Sequence, residues 1–257
     1  PYLRGSVPFE GIYSLIARLW QPDSILEIDE NNYLSFSPRL IRFGSSGLAG
    51  VWAEENTRES IYNAFRRKET FGTSGPRIKV RFFAGYNFEN SNLNDQDLIQ
   101  EAYSKNVPMG GDIIQEKDKN PRFLVWAISD PLGAPLQRVQ IIKGWLADGE
   151  QREKVFDVAC SDGQSVNPLS HRCPDNGAKV NLDDCSISRE KGNAEIKTFW
   201  KDPEFSNDQE AFYYARVLEN PTCRWSTWDA VRAEEKPRSD IPVTIQERAW
   251  SSPIWIK

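Results

Sequence analysis

The chain has 257 residues, 39% of them apolar, which is enough for one large domain or two small ones with a sizeable core. Its net charge of -5 comes from interspersed charges of both signs, which excludes the broad basic footprint of a nucleic-acid-binding protein. No apolar run reaches the roughly 18 to 20 residues a helix needs to cross a bilayer, and nine Trp and thirteen Phe in short Pro/Gly-bounded runs favour β structure.

The chain opens PYLRGSVPFEG, with no initiator Met and no signal peptide, so the expectation is a processed or truncated product. From Phe9 to Trp20, residues Ile12, Leu15, Ile16, Leu19 and Trp20 form an amphipathic helical stripe. Its polar face offers only Arg18 as a cation, so it reads as a core-packed helix rather than a membrane-surface one. Ile25 to Phe36 reads as a hairpin turning at Glu30, Asn31 and Asn32. The stretch from Gly47 to Phe83 then reads strand, turn, helix, turn, strand. Asn56 is the expected N-cap of a helix from Thr57 to Glu69, with Glu59 completing a capping box. Glu54, Glu55 and Glu59 stand at its positive end and Arg66, Arg67 and Lys68 at its negative end; Gly72 is the expected stop. After Gly75 and Pro76, the apolar Ile78, Val80 and Phe82 alternate with Lys79 and Arg81, as in a strand with one buried face.

Residues 85–121 are polar and suit a long surface loop around one short helix at Asp95 to Tyr103. Strands follow at Pro121–Ser129, Leu136–Leu146, Lys154–Ala159, Ala194–Trp200 and Ala211–Glu219, each rich in β-branched and aromatic residues and separated by turns such as DPLGAP and ADGE. With Pro76–Phe83 they make at least six consecutive strands, the pattern of an antiparallel sandwich rather than of βαβ units. The polar excursion from Cys160 to Ser188 has little to bury. Cys160, Cys173, Cys185 and Cys223 contain no C-x-x-C pair, so disulfides in an oxidising compartment, periplasmic or extracellular, are a better reading than zinc. Cys173 with Cys185 and Cys160 with Cys223 is the arrangement expected, although four cysteines allow three pairings and the sequence does not choose.

Candidate chemistry is sparse. His171 is the single imidazole and lies in the most loop-like segment, which argues against a catalytic triad. Asp162, Asn167, Asp175, Asn176, Asn181, Asp183 and Asp184 offer oxygens that suit calcium, but without EF-hand spacing they read first as turn formers. Glu54 and Glu55, with Asn56 and Arg58, could supply a paired-carboxylate site at the end of a strand, against the simpler role of complementing a helix N-terminus. Trp225 and Trp228 are aromatic candidates for stacking on a ligand such as a sugar, against a core role.

The strings VWAEENTRESIYNAFRRKETFGTSGPRIKVRFF, VPMGGD, RVQIIKGWL, AFYYARVLENPTCRWSTWDA and IQERAWSSPIW, in this order over residues 45–257, closely resemble the carboxy-terminal half of the bacterial family labelled domain of unknown function 3604. That family looks like a branch of the PHP (polymerase and histidinol phosphatase) metal-dependent hydrolases. The resemblance implies an α+β, β-rich fold: residues 1–76 would hold the helix, the hairpin and the last βα unit of a PHP-like barrel, and residues 77–257 an antiparallel β-sandwich-like appendage. It implies a divalent metal for the complete enzyme and an anionic substrate such as a phosphate ester. None of the His-x-His and Asp-x-His metal motifs exists in this chain, so no metal ligand can be assigned to it and Glu54, Glu55, Asn56 and Arg58 become rim residues. Two expectations follow. One is an inactive carboxy-terminal portion of a hydrolase whose partner is a missing amino-terminal barrel segment. The other is a non-catalytic β-sandwich binding or structural module for a ligand or carbohydrate. Self-association into a homo-oligomer is compatible with either.

Overall fold

The computed structural model describes residues 44, 46–88, 91–207 and 209–257. The helix expected at Phe9 to Trp20 and the hairpin at Ile25 to Phe36 lie outside them.

The stretch that opens the described chain holds β1 (Leu48–Val51), α1 (Arg58–Arg66) and β2 (Thr70–Thr73). The N-cap is Thr57 rather than Asn56: its hydroxyl accepts from the Ser60 N–H at 3.3 Å, and Asn56 is one residue too early for the first helical turn. The helix also ends sooner than Glu69. Lys68 adopts φ 59 and reverses the chain, which leaves Gly72 inside β2. β1 and β2 pair antiparallel, Leu48 opposite Thr73.

The remaining elements are β3 (Lys79–Gly85), α2 (Leu98–Lys105), β4 (Val107–Pro108), β5 (Asp112–Ile113), β6 (Arg122–Ile128), β7 (Leu136–Ala147), β8 (Glu150–Cys160), β9 (Glu195–Lys201), β10 (Ala211–Glu219), β11 (Thr222–Cys223), α3 (Trp225–Arg232), β12 (Thr244–Ile245), β13 (Arg248–Ser251) and β14 (Ile254–Ile256). The protein is β-rich α+β with antiparallel sheets, in agreement with the expected sandwich-like architecture, and no closed barrel stands among the described residues. A four-stranded sheet runs β4-β3-β6-β9. An eight-stranded sheet is organised around β10. β7 and then β8 lie on one side of it; on the other, β13 leads to β2 and β1, and β14 leads to β5. The strands on either side of residue 76 thus enter different sheets, yet β2 is hydrogen-bonded to β13 near the end of the chain.

Alternation builds the core. Val80, Phe82, Phe123, Val125 and Ala127 of the small sheet meet Val139, Ile141, Tyr213, Ala215, Val217 and Ala249 of the large one, all with 0% exposure. The opposite face of the small sheet, Phe83 and Leu124, is covered by Leu98 and Ala102 of α2 with Phe88. The β7–β8 hairpin turns on Asp148 (φ 54) and Gly149 (φ 78), both left-handed, as a two-residue turn between right-twisted strands requires.

One cation sits inside this apolar sandwich. Lys143 points inward from β7, 2% exposed, and its Nζ donates to Asp202 Oδ2 at 2.7 Å and to the Glu204 carbonyl at 2.9 Å. The Tyr213 hydroxyl donates to the same Asp202 oxygen at 2.7 Å, and the Glu204 N–H donates to the other at 2.8 Å. Asp202 immediately follows β9, so the cluster joins the two sheets. Removing one partner leaves an uncompensated charge in the core: Asp202→Ala is expected to destabilise the fold by about 3–5 kcal/mol in urea titration. The double change Lys143→Met with Asp202→Leu is expected to recover most of that loss, and equal losses in both variants would contradict the assignment.

Candidate functional site

β10 ends on a carboxylate at an inward position. Residues 211, 213, 215 and 217 face the core, and Glu219 continues that series at the strand's last residue. It is 1% exposed. Its N–H donates to the Glu247 carbonyl at 2.9 Å, which sets the two glutamates side by side at this end of the sandwich. Glu219 Oε2 accepts from the Ala134 N–H at 3.3 Å, whereas Oε1 has no hydrogen-bond partner among the described residues. Gly133 makes room for this carboxylate: a Cβ there would stand 2.8 Å from Oε1. Glu247 accepts a hydrogen bond from the Ser74 hydroxyl, which in turn accepts from the Arg248 N–H at 2.8 Å.

Both glutamates line a cleft of about 620 Å3. One wall is the segment Asp184–Ile187 with Arg189, and another is the exposed ring of Trp228 on α3. The walls are held by a disulfide from Cys185, on the rim, to Cys223 of β11. The second bond joins Cys160 to Cys173. The expected pairs Cys173 with Cys185 and Cys160 with Cys223 are therefore corrected. β8 delivers Cys160 beside the returning loop, where the Cys173 N–H donates to Asp157 at 2.7 Å, and this leaves Cys185 for Cys223. With sequence separations of 13 and 38, the bonds contribute about 3 and 4 kcal/mol in the chain-entropy model. Two disulfides indicate an oxidising setting such as the periplasm or cell exterior.

The electrostatics of the cleft follow from its burial. Desolvation pushes the Glu219 carboxyl up to about 8, and the neighbouring Glu247 and Asp130 charges act in the same direction against the single Ala134 hydrogen bond. Desolvation also raises Glu247, opposed by Ser74 and Arg248. Glu219 thus carries a proton at neutral pH and presents a hydroxyl donor.

The other candidates lie elsewhere. Glu54 accepts from Ser60 at 2.9 Å and from Arg67 at 2.8 Å, and Glu55 accepts from the Thr57 hydroxyl at 3.3 Å, so these acids serve the start of α1. Asn56 and Arg58 are exposed beside them, and none of the four lines the cleft. Trp228 is a cleft residue. Trp225 is half-buried, with the Arg224 guanidinium 5.3 Å from its ring. The His171 ring packs edge-on against Phe156 at 5.1 Å. Among the described residues no group of three or more His, Cys, Asp or Glu could hold a metal, and all four cysteines are cross-linked, so the residues present do not fit the metal centre the PHP resemblance implies. The Asx oxygens are used locally: Asn167 accepts from Leu169 and Ser170, Asp175 from Gly177, Asn181 from Asp183, and Asp184 from Ser186.

The family described as "Protein of unknown function (DUF3604)" matches residues 21–257. No curated protein and no solved structure matches the chain.

Because Glu219 binds its proton more tightly folded than unfolded, stability is expected to fall as pH rises from about 4.5 to about 8, by a few kcal/mol. Urea titrations across this range should show the fall in the wild type and a much flatter profile in Glu219→Gln; parallel profiles would contradict a buried, protonated Glu219. Proteolysis without reduction should yield linked peptides containing Cys160 with Cys173 and Cys185 with Cys223.

Proposed function

This chain belongs to the DUF3604 family, and on that premise we propose that its sandwich is a ligand-binding module for a neutral, hydroxyl-bearing ring of the sugar type, seated in the Glu219–Glu247 cleft. The observation that carries the reading is the carboxyl of Glu219, a residue on the lining of an open cleft, whose Oε1 is buried with no hydrogen-bond partner among the described residues. A buried polar atom is costly to leave unpaired, so a ligand hydroxyl in contact with it would be bound with advantage. Protonated Glu219 offers a donor, Glu247 an acceptor and Arg189 further donors. The Trp228 ring offers an apolar face to the C–H side of a ring.

The hydrolase reading rests on the likeness of the DUF3604 family to PHP proteins and on nothing in this cleft. Asp184 on the cleft wall and Asp130 beside Glu219 disfavour an anionic ester, and no reaction step is routed through a metal these residues do not fit. On this reading the sandwich binds, and metal-dependent hydrolysis of anionic esters would need ligands that a chain with a single histidine, His171, does not supply.

Calorimetric titration with neutral mono- and oligosaccharides, with p-nitrophenyl phosphate as the anionic comparison, tests this. Saturable binding of a neutral saccharide is expected, weakened about 3- to 10-fold by Trp228→Ala. Glu219→Gln, which keeps a donor, is expected to retain binding better than Glu219→Ala, and wild-type affinity is expected to drop above about pH 8. Absence of saccharide binding together with tight binding of the phosphate ester would overturn the proposal.

A further inference from the structure

The outer face of the large sheet, away from the core, carries three arginines in two neighbouring rows. Register places Arg138 of β7 opposite Leu218 of β10, and Leu218 opposite Arg248 of β13. The next row that way is Gln140, Arg216 and Trp250. Val139, Val217 and Ala249 between these rows are fully buried in the core, so alternation turns Arg138, Arg216 and Arg248 outward. Arg138 and Arg248 stand two strand spacings apart, about 10 Å, close enough for their long side chains to converge on one group between them. Both line a cavity of about 700 Å3 with Gln137, Gln246 and Thr244.

The acids beside these arginines, Asp157, Asp175 and Glu247, are shared with other partners: Glu247 accepts from Ser74 as well as lying near Arg248. Asp157 is the acid nearest Arg138, at 3.7 Å, but it lies 3.6 Å from Arg172 as well. Its oxygens already accept from Gln140 Nε2 at 2.6 Å and from the Cys173 N–H at 2.7 Å. Asp175, on the cavity wall, accepts from the Gly177 N–H at 3.0 Å. Arg138 Nε is buried without a hydrogen-bond partner. Arg216 and Arg248 each anchor Nε, to Gln140 Oε1 at 2.7 Å and to the Gln246 carbonyl at 3.1 Å. That leaves their planar terminal nitrogens without hydrogen bonds among the described residues. In a chain of net charge -5, a pocket that sets two guanidinium groups, Arg138 and Arg248, against the one carboxylate of Asp175 suits an oxyanion, with Arg216 in the next row adding to the field.

We propose that the Arg138–Arg248 pocket is an oxyanion site, taking a sulfate, phosphate or carboxylate group of a ligand by paired guanidinium hydrogen bonds, independently of the neutral-ligand cleft. The test titrates the oxidised chain at low ionic strength with sodium sulfate, sodium phosphate and sodium acetate in turn. Saturable binding of at least one ion is expected, weakening as sodium chloride is added. The Arg138→Gln/Arg248→Gln variant should lose at least tenfold in affinity. Arg152→Gln, which removes an exposed cation paired with Glu150 elsewhere, should leave it unchanged. Arg248→Lys guards against a folding artefact, since it keeps the charge but not the fork and should fall between wild type and the double variant. No saturable binding of any of the three ions, or equal binding by the wild type and the double variant, would overturn the proposal.

Discussion

The sandwich depends on one ionic contact between its two layers. Asp202, at the exit of β9 in the small sheet, receives Lys143 and Tyr213 from the large sheet within a core that is otherwise aromatic and aliphatic. Apolar faces alone would hold two sheets together in several offsets, because hydrophobic contact is non-directional. A buried ammonium, a carboxylate and a phenol must all be satisfied at once, and that favours the offset in which they meet. Desolvation and the Asp202 charge push the Tyr213 hydroxyl far above its ordinary range, so it remains a donor at every physiological pH.

The same strand carries the contrasting case. Six residues after Tyr213, about 20 Å along β10, Glu219 is just as buried but has no cation hydrogen-bonded to it among the described residues. Asp202 is neutralised by a partner; Glu219 is neutralised by a proton. The first arrangement is complete within the protein and structural in character. The second leaves an oxygen without a partner among the described residues on a residue that lines a cleft, and this difference separates a site for a ligand from a fixture of the core. The Cys185–Cys223 bond and the Asx turns hold the polar loop that walls this cleft, a segment with too little apolar surface to hold itself.

Much of the architecture was legible because period-two alternation is a direct record of burial. The strand expected at Ala211–Glu219 has those bounds, and the one expected at Leu136–Leu146 extends by a single residue. The short helix in the 85–121 loop begins at Leu98 rather than Asp95, and the cap of α1 shifts by one position, since Asn56 and Thr57 are both competent caps and only the backbone path chooses. Disulfide pairing depends on which strand ends meet, which composition does not encode. The cleft was half legible. Trp228 could be singled out from its type and segment, but Glu219 was hidden at the end of an apolar run. The available signal was its parity: an acid in the inward series of Tyr213, Ala215 and Val217 has to be paired, protonated or bound to something. Glu247 gave no comparable signal, because its contact with Ser74 spans 173 residues.

The central claim is that Glu219 is a protonated acid on an open cleft. Its most direct test is a carbon-13 NMR titration of the Glu219 side-chain carboxyl in the oxidised protein, assigned by comparison with Glu219→Gln. A midpoint near 8 is predicted, well above the ordinary glutamate value of 4.5. A midpoint at or below the ordinary value would contradict the account, since Glu219 would then be an ionised carboxylate with no donor to offer a ligand.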